Sequence, residues 1–289
     1  MPDPGKLPFL LRLLDDDTPQ VREAVRHELA GFGPSLRTAI AGLGIDVPPA
    51  SERLIDTFLN DYRRQRLRHS WPGWVEYGDD KDRLEAALGM IAEFLDEQST
   101  REKLAGQLDD LAGEFTGKPL SVDARGLATF LFRMKRLRGA REDYYHVQNS
   151  NLVSVIERQR GIPISLSCIY VLVGHRLGIA LDGCNFPGHF LALATNGDRH
   201  EVIDCYNGGI VLADSDFLAL DAPPGFGIDD VARLVCDSSG IVARVFRNLL
   251  NAYRLSHART NESEPPDTET RLNIQLVKEL LETVDTSAS

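Results

Sequence analysis

Apolar residues recur at helical spacing through the first half of the chain, and strand-like runs appear only in the second half. Leu7, Leu10, Leu11 and Leu14 make one apolar face. Thr18-Pro19 is a good helix start, because proline at the first helical position forfeits no intrahelical hydrogen bond. Ala24, Val25, Leu29 and Phe32 form the face of the helix that follows. Further stripes are Ile55, Phe58, Leu59 and Tyr62; Leu84, Leu88, Ile91 and Leu95; Leu104, Leu108, Leu111 and Phe115; and Leu127, Phe130, Leu131 and Met134. The turn-rich segment SWPGWVEYGDD separates the first two of these stripes. Its Trp71 and Trp74 are expected to close a core edge rather than to form a ligand platform.

The character changes after Tyr145. A helix over 149–158 gives way to GIPIS, and a second helix carries Cys168, Val171, Leu172 and His175 toward Leu177-Gly178. The runs LDGCNF, HFLALAT, RHEVIDC and GIVL then read as strands. Strands grouped after helices with short connections predict an α+β fold, with an antiparallel sheet flanked by N- and C-terminal helices. Helix is expected again over 229–254. NESEPPD reads as a polar linker, and Leu272, Leu276, Leu280 and Val284 mark a last amphipathic helix.

Net charge is -11 with a pI near 5.1, which repels phosphate backbones and argues against nucleic acid as a partner. The basic stretch from Arg63 to Arg68 is expected to solvate one helical face. No apolar run reaches the roughly 18 residues of a membrane span, and the N-terminal residues lack the pattern of a signal peptide. The expectation is a cytoplasmic protein. Its four cysteines, Cys168, Cys184, Cys205 and Cys236, then stay free thiols. Cys184, His189 and Cys205 follow no zinc spacing. There is no phosphate loop or dinucleotide fingerprint, so no cofactor or metal is expected.

The strongest local signal is Asn196-Gly197, the preferred two-residue hairpin turn. A loop of those two residues sets His189 opposite Asp204, Leu191 opposite Val202 and Leu193 opposite His200. Opposed residues share a sheet face, so an imidazole stands beside a carboxylate. That is the orienting half of a nucleophile-His-Asp site, and by itself it is also a common structural hydrogen bond.

The run NSNLVSVIERQRGIPISLSCIYVLVGHRLGIALDGCNFPGHFLAL, followed by VIDCYNGG, resembles the SirB-type transglutaminase-like family. GIPISLS, RLGI, FPGHFL and D-x-x-NGG stand in that family's order and spacing. The resemblance covers roughly Leu127 to Arg254, more weakly at its ends. It implies a papain-like core in which a helix N-terminus faces a His–Asp pair on the sheet, with NGG in a loop closing over the site. Family enzymes carry a cysteine at that helix start. The corresponding position here is near Pro163, and proline is no nucleophile. Ser165 is expected to cap the helix, and Cys168, one turn deeper, to be a buried thiol. Each is also a candidate displaced nucleophile. LPFLLRLLDDDTPQVREAVRHELAGFG is similar to a HEAT repeat, although one repeat cannot bury its own face.

These readings divide the chain into a HEAT-like region over 1–48, a helical lead-in over 49–120, the core over 121–256, and a linker with a C-terminal helix over 257–289. The expected function is a protein- or peptide-binding module that lacks the usual nucleophile. The alternative is an amidase or acyltransferase in which Ser165 or Cys168 attacks, His189 is the base and Asp204 orients it.

Overall fold

A computed structural model describes residues 2–45, 47–260 and 266–287, and the chain divides into two compact units at His69/Ser70. NESEPPD lies largely outside the described residues. The first unit holds α1 (Leu7–Arg12), α2 (Pro19–Ala30), α3 (Leu36–Gly42) and α4 (Pro49–Ser70). Thr18 and Pro19 stand at the N-cap and first helical position of α2, as expected. Leu7, Leu11, Val25, Leu29, Leu36 and Phe58 belong to one shared core, while Ala24 is exposed, contrary to its expected place. Ile55, Phe58 and Leu59 of α4 join this core, so the division falls at His69 rather than at residue 48. Arg64 departs from the solvated reading of its stretch. It is buried and pairs with Asp61 at 2.5 Å.

The second unit begins at Ser70. A short 3-10 turn (Trp71–Glu76) buries both tryptophans, and Trp71 packs on Phe246 with ring centroids 5.0 Å apart. Helices α5 (Asp80–Leu95) and α6 (Arg101–Thr116) bury the expected stripes completely. The short α7 (Ala124–Ala128) continues as a π-helical turn over Thr129–Met134. This wider turn rotates Met134 out to solvent while Phe130 and Leu131 stay buried.

A two-residue strand β1 (Arg138–Gly139) then pairs in parallel with β2 (Arg160–Gly161), with α8 (Leu152–Arg158) between them. Helix α9 (Pro163–Arg176) follows, and every residue from Pro163 to Gly174 is buried. A helix apolar on all sides must be enclosed on all sides. Here α5, α6, α8, two strands of the sheet (Leu181–Cys184 and Leu191–Asn196) and the helix Ser238–Thr260 surround it.

The sheet is antiparallel throughout, in the order β6-β5-β4-β3-β7. Its strands are β3 (Leu181–Cys184), β4 (Leu191–Asn196), β5 (Arg199–Asp204), β6 (Ile210–Leu212) and β7 (Val235–Cys236). The span expected as one helix over 229–254 is instead α10 (Ile228–Ala232), β7 and α11 (Ser238–Thr260). A two-residue edge strand is too short to show periodicity, so it was invisible in the pattern. Helix α12 (Thr268–Ser287) packs on α11, burying Leu276, Leu280 and Val284. Among the described residues, no helix is long and apolar enough to cross a membrane.

Candidate functional site

The β4–β5 hairpin differs from its expected register. Asn196 pairs with Arg199, so the loop is Gly197-Asp198 rather than Asn196-Gly197. Gly197 has φ +59° and Asp198 does not enter the left-handed region. That pattern belongs to a turn with glycine at its first central position, whereas an Asn-Gly loop needs positive φ at both. Leu193 therefore faces Val202, not His200, and Ala192 faces Ile203. The shift is two residues. Side chains alternate with period two, so each residue keeps its face.

His189 consequently lies not in β4 but in the bend before it, after Pro187 and Gly188. Its Nε2 is 3.0 Å from Asp204 Oδ1, at the end of β5. The fully buried Asp204 also accepts from the Asn207 amide (3.1 Å) and the Asn207 side chain (2.7 Å). Burial pushes the Asp204 carboxyl up, but the hydrogen bond and charge of His189 and the two bonds from Asn207 outweigh it, leaving the group below its ordinary range. An ionised carboxylate only accepts. Nε2 of His189 must therefore carry the proton, and in the neutral ring the basic lone pair is on Nδ1.

Asn207 as a second partner of Asp204 was missed in the sequence, where NGG read only as a turn over the site. The signal was available, since asparagine three residues after an aspartate can close back on it across a turn. Tyr206 was also missed. Its ring stands edge-to-face with His189 at 6.0 Å, and its hydroxyl donates to the Ala140 carbonyl.

The expected nucleophile positions are arranged differently. Helix α9 begins at Pro163, not Ser165, with Ile162 as N-cap and proline at the first position. Ser165, two residues further in, is buried. Its Oγ accepts from the Ile162 amide and donates to the Ile162 carbonyl, both at 3.0 Å, so it caps the helix from inside. Cys168 is buried, and burial first, then nearby Cys236 and Cys205, raises its thiol far above the ordinary range. Among the described residues, no thiol or hydroxyl hydrogen-bonds the His189 ring. The helix start and the histidine bend do meet. Ile162 and Gly188 line one cavity of about 170 Å³ with Tyr144, Tyr145, Arg244 and Asn251.

Cys184, His189 and Cys205 form no metal-ligand grouping among the described residues. Asp79, Asp82 and His175 bring their ligand atoms within 4.8 Å, but they are exposed, and both aspartates serve the capping box of α5.

A buried helix abutting an antiparallel sheet, with a His–Asp pair beside the helix start, is the frame of transglutaminase-like folds. Residues 90–235, just over half of the chain, match the family described as the transglutaminase-like superfamily, and the chain belongs to it. It is similar to a UPF0162 protein of Xylella fastidiosa, 40% identical over 131 residues, which are 43% of this chain and 46% of that protein. A UPF0162 protein of Vibrio cholerae is 39% identical over 74 residues, 25% of this chain and 27% of that protein. Mouse F-box only protein 21 is 36% identical over 77 residues, 27% of this chain and 12% of that protein. The chain thus spans less than half the length of these relatives. No solved structure matches it.

Proposed function

We propose that this chain is a transglutaminase-like domain that binds a peptide or protein segment, with His189 and Asp204 kept as a polar wall of the pocket and without a thiol nucleophile. The SirB-type variety and the HEAT-like character of the N-terminal helices belong to this reading. The observation that carries it is at the start of α9. Pro163 occupies the first position, the Ser165 hydroxyl is committed in both directions to Ile162, and the Cys168 thiol is buried and held neutral. Thiol chemistry needs an accessible thiolate.

One observation favours a second reading, an amidase or acyltransferase. His189 is oriented by an ionised Asp204 and has its Nδ1 lone pair uncommitted, as a general base requires. Ser165 or Cys168 would then attack the amide carbon and pass its proton to His189, and α9 amides would hold the oxyanion. His189 would return the proton to the amine as the C–N bond breaks, and water or an acceptor amine would release the acyl group.

One paired assay separates the two. Wild type and His189→Ala are tested on a panel of peptide amides and glutamine donors, for turnover and for binding. The expected result is peptide binding by wild type, weakened in the variant, with no turnover in either. Turnover by wild type that falls by roughly 10²–10⁴-fold in the variant would overturn the binding reading.

A further inference from the structure

In a chain of net charge -11, Arg138, Arg141 and Arg160 line a single cavity of about 410 Å³. Its other walls are Gly139, Glu142 and the segment Tyr206-Asn207-Gly208, which leads directly from Asp204. Among the described residues, none of the three guanidiniums forms an ion pair or a side-chain hydrogen bond.

Arg138 and Arg160 are direct partners across the parallel β1–β2 pair, which sets two like charges side by side. Arg158, which pairs with Asp143 at 3.7 Å, adds positive charge beside Arg160. Two of the three non-glycine residues with positive φ among those described flank the ladder: Arg136 (φ +60°) precedes Arg138 by two, and Gln159 (φ +56°), the C-cap of α8, directly precedes Arg160. Such conformations cost free energy and persist where the surroundings enforce them. The glycines of the ladder permit the close packing. A Cβ at Gly139 would meet Tyr206 at 2.5 Å, and one at Gly161 would meet Ser165 Oγ at 2.6 Å. The ladder is thereby tied both to the floor of the cavity and to the start of α9.

We infer that Arg138, Arg141 and Arg160 form a carboxylate-binding subsite beside the His189–Asp204 pair, so that the bound peptide carries a carboxylate a short distance from the segment held there. This deepens the peptide-binding reading and rests on it. The planar guanidinium fork matches a carboxylate bidentately, and three forks on two strands and a loop suit one compact anion. An extended polyanion such as RNA would have to bind a chain whose net charge is -11. The carboxylate is either an Asp or Glu side chain or a peptide C-terminus.

The test uses the full chain and capped hexapeptides in three forms: one with a central Glu and an amidated C-terminus, one with Gln and a free C-terminus, and one with Gln and an amidated C-terminus. Binding is measured by fluorescence anisotropy at several salt concentrations. At least one carboxylate peptide should bind wild type about tenfold or more tighter than the neutral peptide, the worth of one or two charge-assisted hydrogen bonds. Whichever carboxylate peptide binds tighter identifies the source. The preference should vanish in the Arg138→Gln/Arg160→Gln variant and shrink with salt. That variant should melt at or above the wild-type temperature, because a like-charge pair has been removed. Equal binding of neutral and carboxylate peptides, with sensitivity to His189→Ala, would leave the peptide reading standing and overturn the subsite. An undiminished preference in the double arginine variant, or a clear loss of its stability, would also overturn it. Tight binding of a short RNA where the peptides fail would overturn it as well, and failure of every probe would overturn both readings.

Discussion

Replacing Asp204 by Asn tests whether the carboxylate charge sets the geometry of the pair. Asp204 accepts from three donors, two on Oδ1 and one on Oδ2. An amide in the same place offers one oxygen and one NH2 group. If the oxygen keeps the Oδ1 position, the NH2 group faces the Asn207 side chain, which is exposed and free to flip its own amide. The bonds survive in number and lose their charge. A hydrogen bond to a charged group is worth ~1.5–3 kcal/mol and a neutral one ~0.5–1.5, so the His189 bond loses about 1 kcal/mol. With a smaller loss at Asn207, the total is about 1–2 kcal/mol by the same scale. For a unit of this size that lowers the melting temperature by about 2–8 °C. The pH dependence has a definite sign. Asp204 has a depressed pKa in the folded chain, so its contribution is complete above the ordinary carboxylate range and is lost as pH falls through the folded value. The stability gap between wild type and Asp204→Asn should therefore narrow in acid. Chemical denaturation at neutral and acidic pH measures the gap, and 15N NMR of His189 reports which nitrogen carries the proton. A variant as stable as wild type at neutral pH, a gap that widens in acid, or a wild-type ring protonated only at Nδ1 would refute the reasoning.

Native thiol labelling at mildly alkaline pH should be slow and should begin at Cys236, which is partly exposed with its thiol pushed up by burial to about 11. Cys184, raised to about 12, and the still less acidic Cys168 and Cys205 should label only on unfolding, and mass spectrometry of quenched samples reads the order. Gly209→Ala should destabilise more than Gly208→Ala. Both positions have positive φ, strain worth ~1–3 kcal/mol, but only at Gly209 does a Cβ strike a neighbour, Phe132 at 2.3 Å. Equal urea midpoints for the two variants would contradict this.

The helical stripes of α5 and α6 were legible because long amphipathic helices repeat their pattern several times, and the four main strands because alternation and turn residues agree. The His–Asp pair was legible for a narrower reason. The sequence pattern puts the hairpin turn one residue early, yet the register shift of two that results preserves the face, so the partners are correct while their register is not. What could not be read depends on contacts made by few residues. The edge strand β7 and the ladder β1–β2 are two residues each and carry no period. Ser165 was expected to cap α9, but its position inside the first turn follows from Pro163 taking the first place. The grouping of Arg138, Arg141 and Arg160 needs the β1–β2 pairing, which joins residues more than twenty apart in sequence.

Helix α9 has a consequence for how the chain is made. It is apolar on every side, and its cover includes β3, β4 and α11, all of which follow it in the chain. Roughly 80 residues separate the end of α9 from the end of α11, and at ~5–20 residues per second a ribosome needs about 4–16 s to add them. Through that interval α9 has α5, α6 and α8 on one flank, while β3 and β4 arrive early and α11 completes the cover only at its end. The length of this exposure is set by the order of elements along the chain, and no gain in the stability of the finished fold shortens it.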